Sequence, residues 1–140
     1  MHRDIKPENV FLTDEGRVAK LGDFGLATAT EDLGAAKTQV GTPDYMAPEV
    51  LEGRPYSEPA DVFSLGATVY AMVCSSFPKM LAMHLGQGKP LDWPAAAAKM
   101  PTWKPVIEAM LAVEVRICRA PERPYLECAC VPLLEILSRP

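Results

Sequence analysis

No run of lysine or arginine occurs in this sequence and its net charge is −4, so it carries no basic footprint for nucleic acid or for a membrane surface. The longest apolar stretch, Leu65 to Cys74, is about half the length needed to cross a bilayer. No charged-then-apolar leader opens the chain, so a signal peptide is not expected. None of the four cysteines (Cys74, Cys118, Cys128 and Cys130) forms a C-x-x-C pair, and none is flanked by histidine at metal-ligand spacing. Reduced, mostly buried thiols in a cytoplasmic or nuclear protein are the expectation. There is no internal repeat. Proline is the opposite case: 14 among 140 residues is about twice the usual share, and many follow Pro78.

What is there suits one globular domain. Hydrophobic residues make up 49% and charged residues 23%, which is ordinary usage and argues against disorder. Val10-Phe11-Leu12-Thr13 and Val18-Ala19-Lys20-Leu21 are short β-rich runs separated by the turn signal Asp14-Glu15-Gly16. They predict a two-stranded ribbon, which is not stable alone. Residues 22–45 carry little periodicity, and so long a loop in a compact domain is usually functional. From about Pro59 to Ser75 the pattern turns helical, with Val62, Leu65, Val69 and Val73 three or four apart. This helix is apolar nearly all round and is expected to be central and buried, with Ser57 as N-cap and Pro59 in its first turn. Further helices are expected at Pro78–Leu85, Thr102–Leu111 and Leu126–Leu137.

Three strings carry chemistry. Residues 2–9 read His-Arg-Asp-Ile-Lys-Pro-Glu-Asn, residues 23–25 read Asp-Phe-Gly, and residues 47–49 read Ala-Pro-Glu. Each triplet alone is weak, and Asp and Asn on their own are common turn formers. The three in this order and spacing resemble the signature set of the eukaryotic protein kinases, serine/threonine type. Several stretches, Lys20-Leu21-Gly22-Asp23-Phe24-Gly25-Leu26-Ala27 among them, resemble the NIMA-related kinases. Asp44 stands where those usually carry a second tyrosine.

The resemblance implies an α+β fold: a mainly helical kinase C-lobe with a small two-stranded β ribbon and no N-lobe. Residues 1–140 would be one partial kinase domain, with catalytic loop 2–9, activation segment 23–49 and central helix at about 59–75. The likeness is tight over 2–75, loose over 76–125 and weak beyond.

Moving a γ-phosphoryl group to a hydroxyl is mainly a matter of positioning and charge neutralisation. By resemblance, Asp4 orients the incoming hydroxyl and takes its proton, and Lys6 contacts the transferred phosphate. Asn9 and Asp23 match the two magnesium-binding positions, and hard magnesium prefers such oxygen ligands. Thr42 would bond both Asp4 and Lys6. Arg3 would pair with a phosphorylated activation-segment residue, for which Thr38 is the first candidate and Thr28 and Thr30 stand behind it. His2, Glu49, Asp61 and Arg123 look like scaffold. Asp61 would hold the backbone of the catalytic loop, and Glu49 would form a buried ion pair with Arg123.

The implied function is transfer of the ATP γ-phosphate, with Mg2+, to a Ser or Thr hydroxyl of a protein substrate, with no nucleic-acid or membrane partner. The kinase Gly-rich loop, strand lysine and helix glutamate all precede the catalytic loop, and no G-x-G-x-x-G occurs here. The isolated chain is therefore expected to turn over far below the usual kinase range of about 1–100 s⁻¹. It should also expose an apolar face of the central helix. The alternative is a non-catalytic, kinase-derived interaction or regulatory module.

Overall fold

The computed structural model describes residues 1–27, 40–74, 77–95 and 103–112. Strands β1 (Val10–Thr13) and β2 (Val18–Leu21) pair antiparallel, with Val10 opposite Leu21 and Thr13 opposite Val18. The chain reverses through Asp14, Glu15 and Gly16, all at positive φ. The ribbon forms where the sequence predicts it, but most of its side chains face outward: Phe11 is 54% and Leu12 66% exposed.

The helices are α1 (Pro48–Leu51), α2 (Pro59–Val73), α3 (Leu81–Gly86) and α4 (Trp103–Leu111). Helix α2 is the central one and packs chiefly against α4. Gly66 makes this possible: a Cβ there would lie 2.7 Å from Met110 Cβ and 3.3 Å from Leu111 Cδ2. Phe63, Ala67 and Tyr70 of α2, Leu81 of α3 and Ile107 of α4 are the heart of the core. Full burial of a side chain such as Phe63 or Leu81 contributes about 1.5–3 kcal/mol. Tyr70 keeps its hydroxyl paired by donating to the Asp92 carbonyl at 2.9 Å, and its ring meets Trp93 edge-on.

Two local expectations need correction, and one detail the sequence left open is now fixed. The residue at the α2 N-cap is Glu58, not Ser57, which contributes only its carbonyl to the N–H of Ala60. With Pro59 at the first helical position one orphan donor is already absent, so a capping hydroxyl has less to satisfy. The face of α2 that is buried carries Ala60, Phe63, Ala67 and Tyr70, whereas Val62, Leu65, Val69 and Val73 are half-buried. Because α2 is apolar all round, its sequence could not say which face meets a neighbour. Finally, α3 begins at Leu81 rather than Pro78, because Met80 is left-handed (φ 50°, ψ 62°) and blocks helical extension towards Pro78. Helix α2 ends at Val73, with Cys74 extended. The expected helix Leu126–Leu137 lies outside the described residues. Among those described, no helix is long and apolar enough to cross a membrane.

Candidate active site

The loop ahead of β1 is fixed first by its backbone. Asp61, in the first turn of α2, accepts from the N–H of His2 at 2.7 Å and of Arg3 at 2.9 Å, one carboxylate oxygen for each. This lets Arg3 sit at φ 71°, a region that a long side chain rarely occupies. Buried His2 spans the other side: its Nε2 lies 3.0 Å from the Gly22 carbonyl and its Nδ1 accepts from the Asp4 N–H at 3.4 Å. That pairing places the ring hydrogen on Nε2. His2 also meets the ring of Phe24 at 4.9 Å, tying the loop to the Asp23-Phe24-Gly25 turn.

On this support four side chains converge. The Lys6 ammonium lies 2.8 Å from Asp4 Oδ2 and donates to Thr42 Oγ1 at 3.1 Å. The Thr42 hydroxyl in turn donates to Asp4 Oδ1 at 2.9 Å, closing a triangle. Asn9 Nδ2 donates to the Asp4 carbonyl at 2.8 Å and to Asp4 Oδ2 at 3.3 Å. Burial on its own raises the Asp4 pKa, but the hydrogen bonds from Lys6 and Thr42 and the Lys6 charge outweigh it and hold the carboxyl below its ordinary value. The same bond to Asp4 raises the pKa of Lys6.

Gly41 brings Thr42 within reach of the loop. At φ 110°, it passes so close that a Cβ would lie 2.5 Å from the Arg3 carbonyl oxygen. The spacing of the sequence motifs did not reveal this contact, although a glycine beside Thr42 was the available signal.

Asp23 lies near the cluster but makes no hydrogen bond to it among the described residues. The Gly22 N–H donates to the Asn9 carbonyl at 3.0 Å, setting the start of the Asp-Phe-Gly turn beside Asn9. Asp23 itself is exposed and left-handed (φ 60°, ψ 70°), with its carboxylate accepting from the Gly25 N–H at 3.4 Å. Its charge is felt at Lys6. As a donor set this fits a hard cation. Asn9 spends its amide nitrogen on Asp4, which leaves its amide oxygen as the free end, and Asp23 presents carboxylate oxygen to solvent.

The remaining expected site residues divide. The Arg3 side chain donates from Nε to the Leu26 carbonyl. Glu49 is 1% exposed, and its Oε2 has no partner among the described residues. Burial raises its pKa above the ordinary glutamate value. Thr28, Thr30, Thr38 and Arg123 lie outside the described residues, so the expected phosphosites and the Glu49–Arg123 pair do too. A concavity of about 590 Å³ lies behind the loop, lined by Met1, His2, Ile5, Leu21, Phe24, Ala27 and Asp61, and does not include Asp4, Lys6 or Asn9.

The described residues thus bring together a carboxylate held below its ordinary pKa and a cation and a hydroxyl locked to it. The chain belongs to the protein kinase family: residues 1–114 match the model described as protein kinase domain. It is 46% identical over 79 residues to serine/threonine-protein kinase Nek5 of Mus musculus, a match covering 56% of this chain and 13% of that protein. It is 46% identical over 84 residues to G2-specific protein kinase nim-1 of Neurospora crassa (60% of this chain, 10% of that protein). Against SNF1-related protein kinase catalytic subunit alpha KIN12 of Arabidopsis thaliana it is 44% identical over 78 residues, covering 56% and 16%. The matched segment thus spans no more than about a sixth of each of these three relatives.

Proposed function

We propose that this chain is the C-lobe part of a serine/threonine kinase domain, transferring the γ-phosphate of ATP to a Ser or Thr hydroxyl of a protein substrate. The observation that carries this is the closed Asp4–Lys6–Thr42 triangle. Asp4 orients the substrate hydroxyl and receives its hydrogen as the oxygen bonds to phosphorus and ADP departs. Lys6 balances charge on the phosphoryl oxygens in transit. Thr42 holds both groups in register. Asn9 and Asp23 would hold magnesium, which when bound would neutralise charge on the phosphate oxygens. Arg123 completes the unpartnered Oε2 of Glu49, and Thr38 is the phosphosite that Arg3 reads. The cytoplasm or nucleus suits such an enzyme.

The ribbon and Phe24, 63% exposed, support a missing N-lobe: they form apolar surface next to the reacting groups that a further lobe would cover. The lysine–glutamate pair and adenine site are then absent from this chain, and its own turnover falls far below about 1–100 s⁻¹. The test is to extend the coding sequence upstream. An in-frame Gly-rich loop, strand lysine and helix glutamate, with Mg-ATP-dependent phosphorylation of Ser or Thr that Asp4→Asn abolishes, is the expected result. Kinase-range turnover by the purified 140-residue chain would refute the missing-lobe reading. A verified start at Met1 would favour the interaction module, for which the same exposed apolar surface is the docking face.

A further inference from the structure

Asp44 is where this sequence departs from the NIMA-related pattern, and none of the three motif strings includes it. In the structure it lies in the single turn Pro43–Tyr45, directly after Thr42 and Pro43. That turn is held at two points by the stretch leading into α3. The ring of Tyr45 stacks on Phe77, with centroids 5.0 Å apart and planes 18° from parallel. Asp44 Oδ1 accepts from the Met80 N–H at 2.9 Å. Met80 is the left-handed residue ahead of Leu81, so the acceptor meets the backbone where the chain is least free to relax. A carboxylate suits this position, since it is short, it only accepts, and its charge strengthens the bond to an N–H. On the other side, the Tyr45 N–H donates to the Thr42 carbonyl at 3.0 Å, and Thr42 Oγ1 sits between Asp4 and Lys6. One short turn therefore links the entry of α3 to the reacting cluster.

We infer that Asp44 is a positioning residue: by clipping the Pro43–Tyr45 turn to Met80, it sets where Thr42 stands and fixes the surface on which a hydroxyl-bearing substrate segment lies. The substrate clause rests on the kinase reading, whereas the clip does not. The side chain acts through backbone and through Thr42, and it touches no reacting atom.

Amide hydrogen exchange and methyl NMR on the 140-residue chain test it, because neither needs catalysis. In Asp44→Ala the Met80 amide should exchange at least about tenfold faster, as expected when a protecting hydrogen bond is lost. The Tyr45–Phe77 ring contact should weaken and the Thr42 methyl resonance should move. Asp44→Asn, which keeps an acceptor of the same reach, should restore all three. Amides in the middle of α2 should not respond. If Asp44→Ala fails to fold, Asp44→Ser replaces it, since its hydroxyl is too short to reach Met80, and the same contrast with Asp44→Asn is required. Unchanged exchange at Met80, an unmoved Thr42 methyl, equal acceleration throughout α2, or no rescue by Asn would each overturn the inference. An intact clip in an extended chain that transfers no phosphate would count against the kinase reading and leave this one standing.

Discussion

Asp4 and Glu49 are both buried carboxylates, and their surroundings treat them in opposite ways. Asp4 receives Lys6, Thr42 and Asn9, and its pKa is held down. Glu49 is more deeply enclosed, its Oε2 has no partner among the described residues, and burial pushes its pKa up. Burial alone does not decide how an acid behaves; the supply of donors does. Asp4 draws its donors from its own loop and from Thr42, which lies 38 residues further along the chain. Helix α1 is a single turn that buries Glu49 against the core, and its proposed cation comes from the far end of the chain.

The sharpest way to break this contrast is at Glu49. Glu49→Ala should destabilise the chain by about 3–5 kcal/mol in urea unfolding, the cost of stripping one side of a buried pair. Arg123→Ala should add little on top of it. A loss under about 1 kcal/mol would mean that no cation answers Glu49. Next comes Asp61, whose removal strands two backbone donors in the loop ahead of β1. Asp61→Ala should cost about 2–6 kcal/mol at about 1–3 per orphaned group, with Asp61→Asn recovering part of it. Thr42→Val should cost about 1.5–3 kcal/mol, the loss of a hydrogen bond to a charged group, and Thr42→Ser should be near neutral. Full stability in Thr42→Val would show that the triangle is not closed in solution.

The smallest effects are in pH dependence, and their signs differ. The folded-state value of Asp4 is lowered, so its contribution is present above about pH 4 and is lost as pH falls through that lowered value. Lys6 is raised, so its contribution is present below about pH 10.4 and is lost as pH rises through its folded value. Asp4→Asn should flatten the acid limb of a stability–pH profile. For Glu49 the raised value reverses the acid sign: stability is lost as pH rises from about 4.3 through the folded value. A cation on Oε2 would mask this, so the slope should emerge in Arg123→Gln and vanish again in Glu49→Gln/Arg123→Gln. An unchanged profile in Arg123→Gln would remove Arg123 as the partner.

Much of the site was legible because local chemistry sets it. The hairpin followed from β-rich runs around Asp14-Glu15-Gly16, and the loop residues from a string whose order left few alternatives. Other features were not legible, because they depend on who meets whom in space. No periodicity could tell that Ala60, Phe63, Ala67 and Tyr70 rather than Val62, Leu65, Val69 and Val73 would be the buried face of α2. Nothing in the string Phe77-Pro78-Lys79-Met80 announces that Met80 turns left-handed and delays α3. Asp44 read as a mere departure from a pattern until Met80 stood opposite it.

By itself the amino-acid order determined the kinase family, the ribbon and the central helix, since these rest on residue type and short-range spacing. The tertiary structure alone decided the protonation bias of Asp4 and Glu49, the approach of Gly41 to the Arg3 carbonyl and the clip between Asp44 and Met80. Each of those depends on distances of a few ångströms between segments far apart in the chain, and only packing sets such distances.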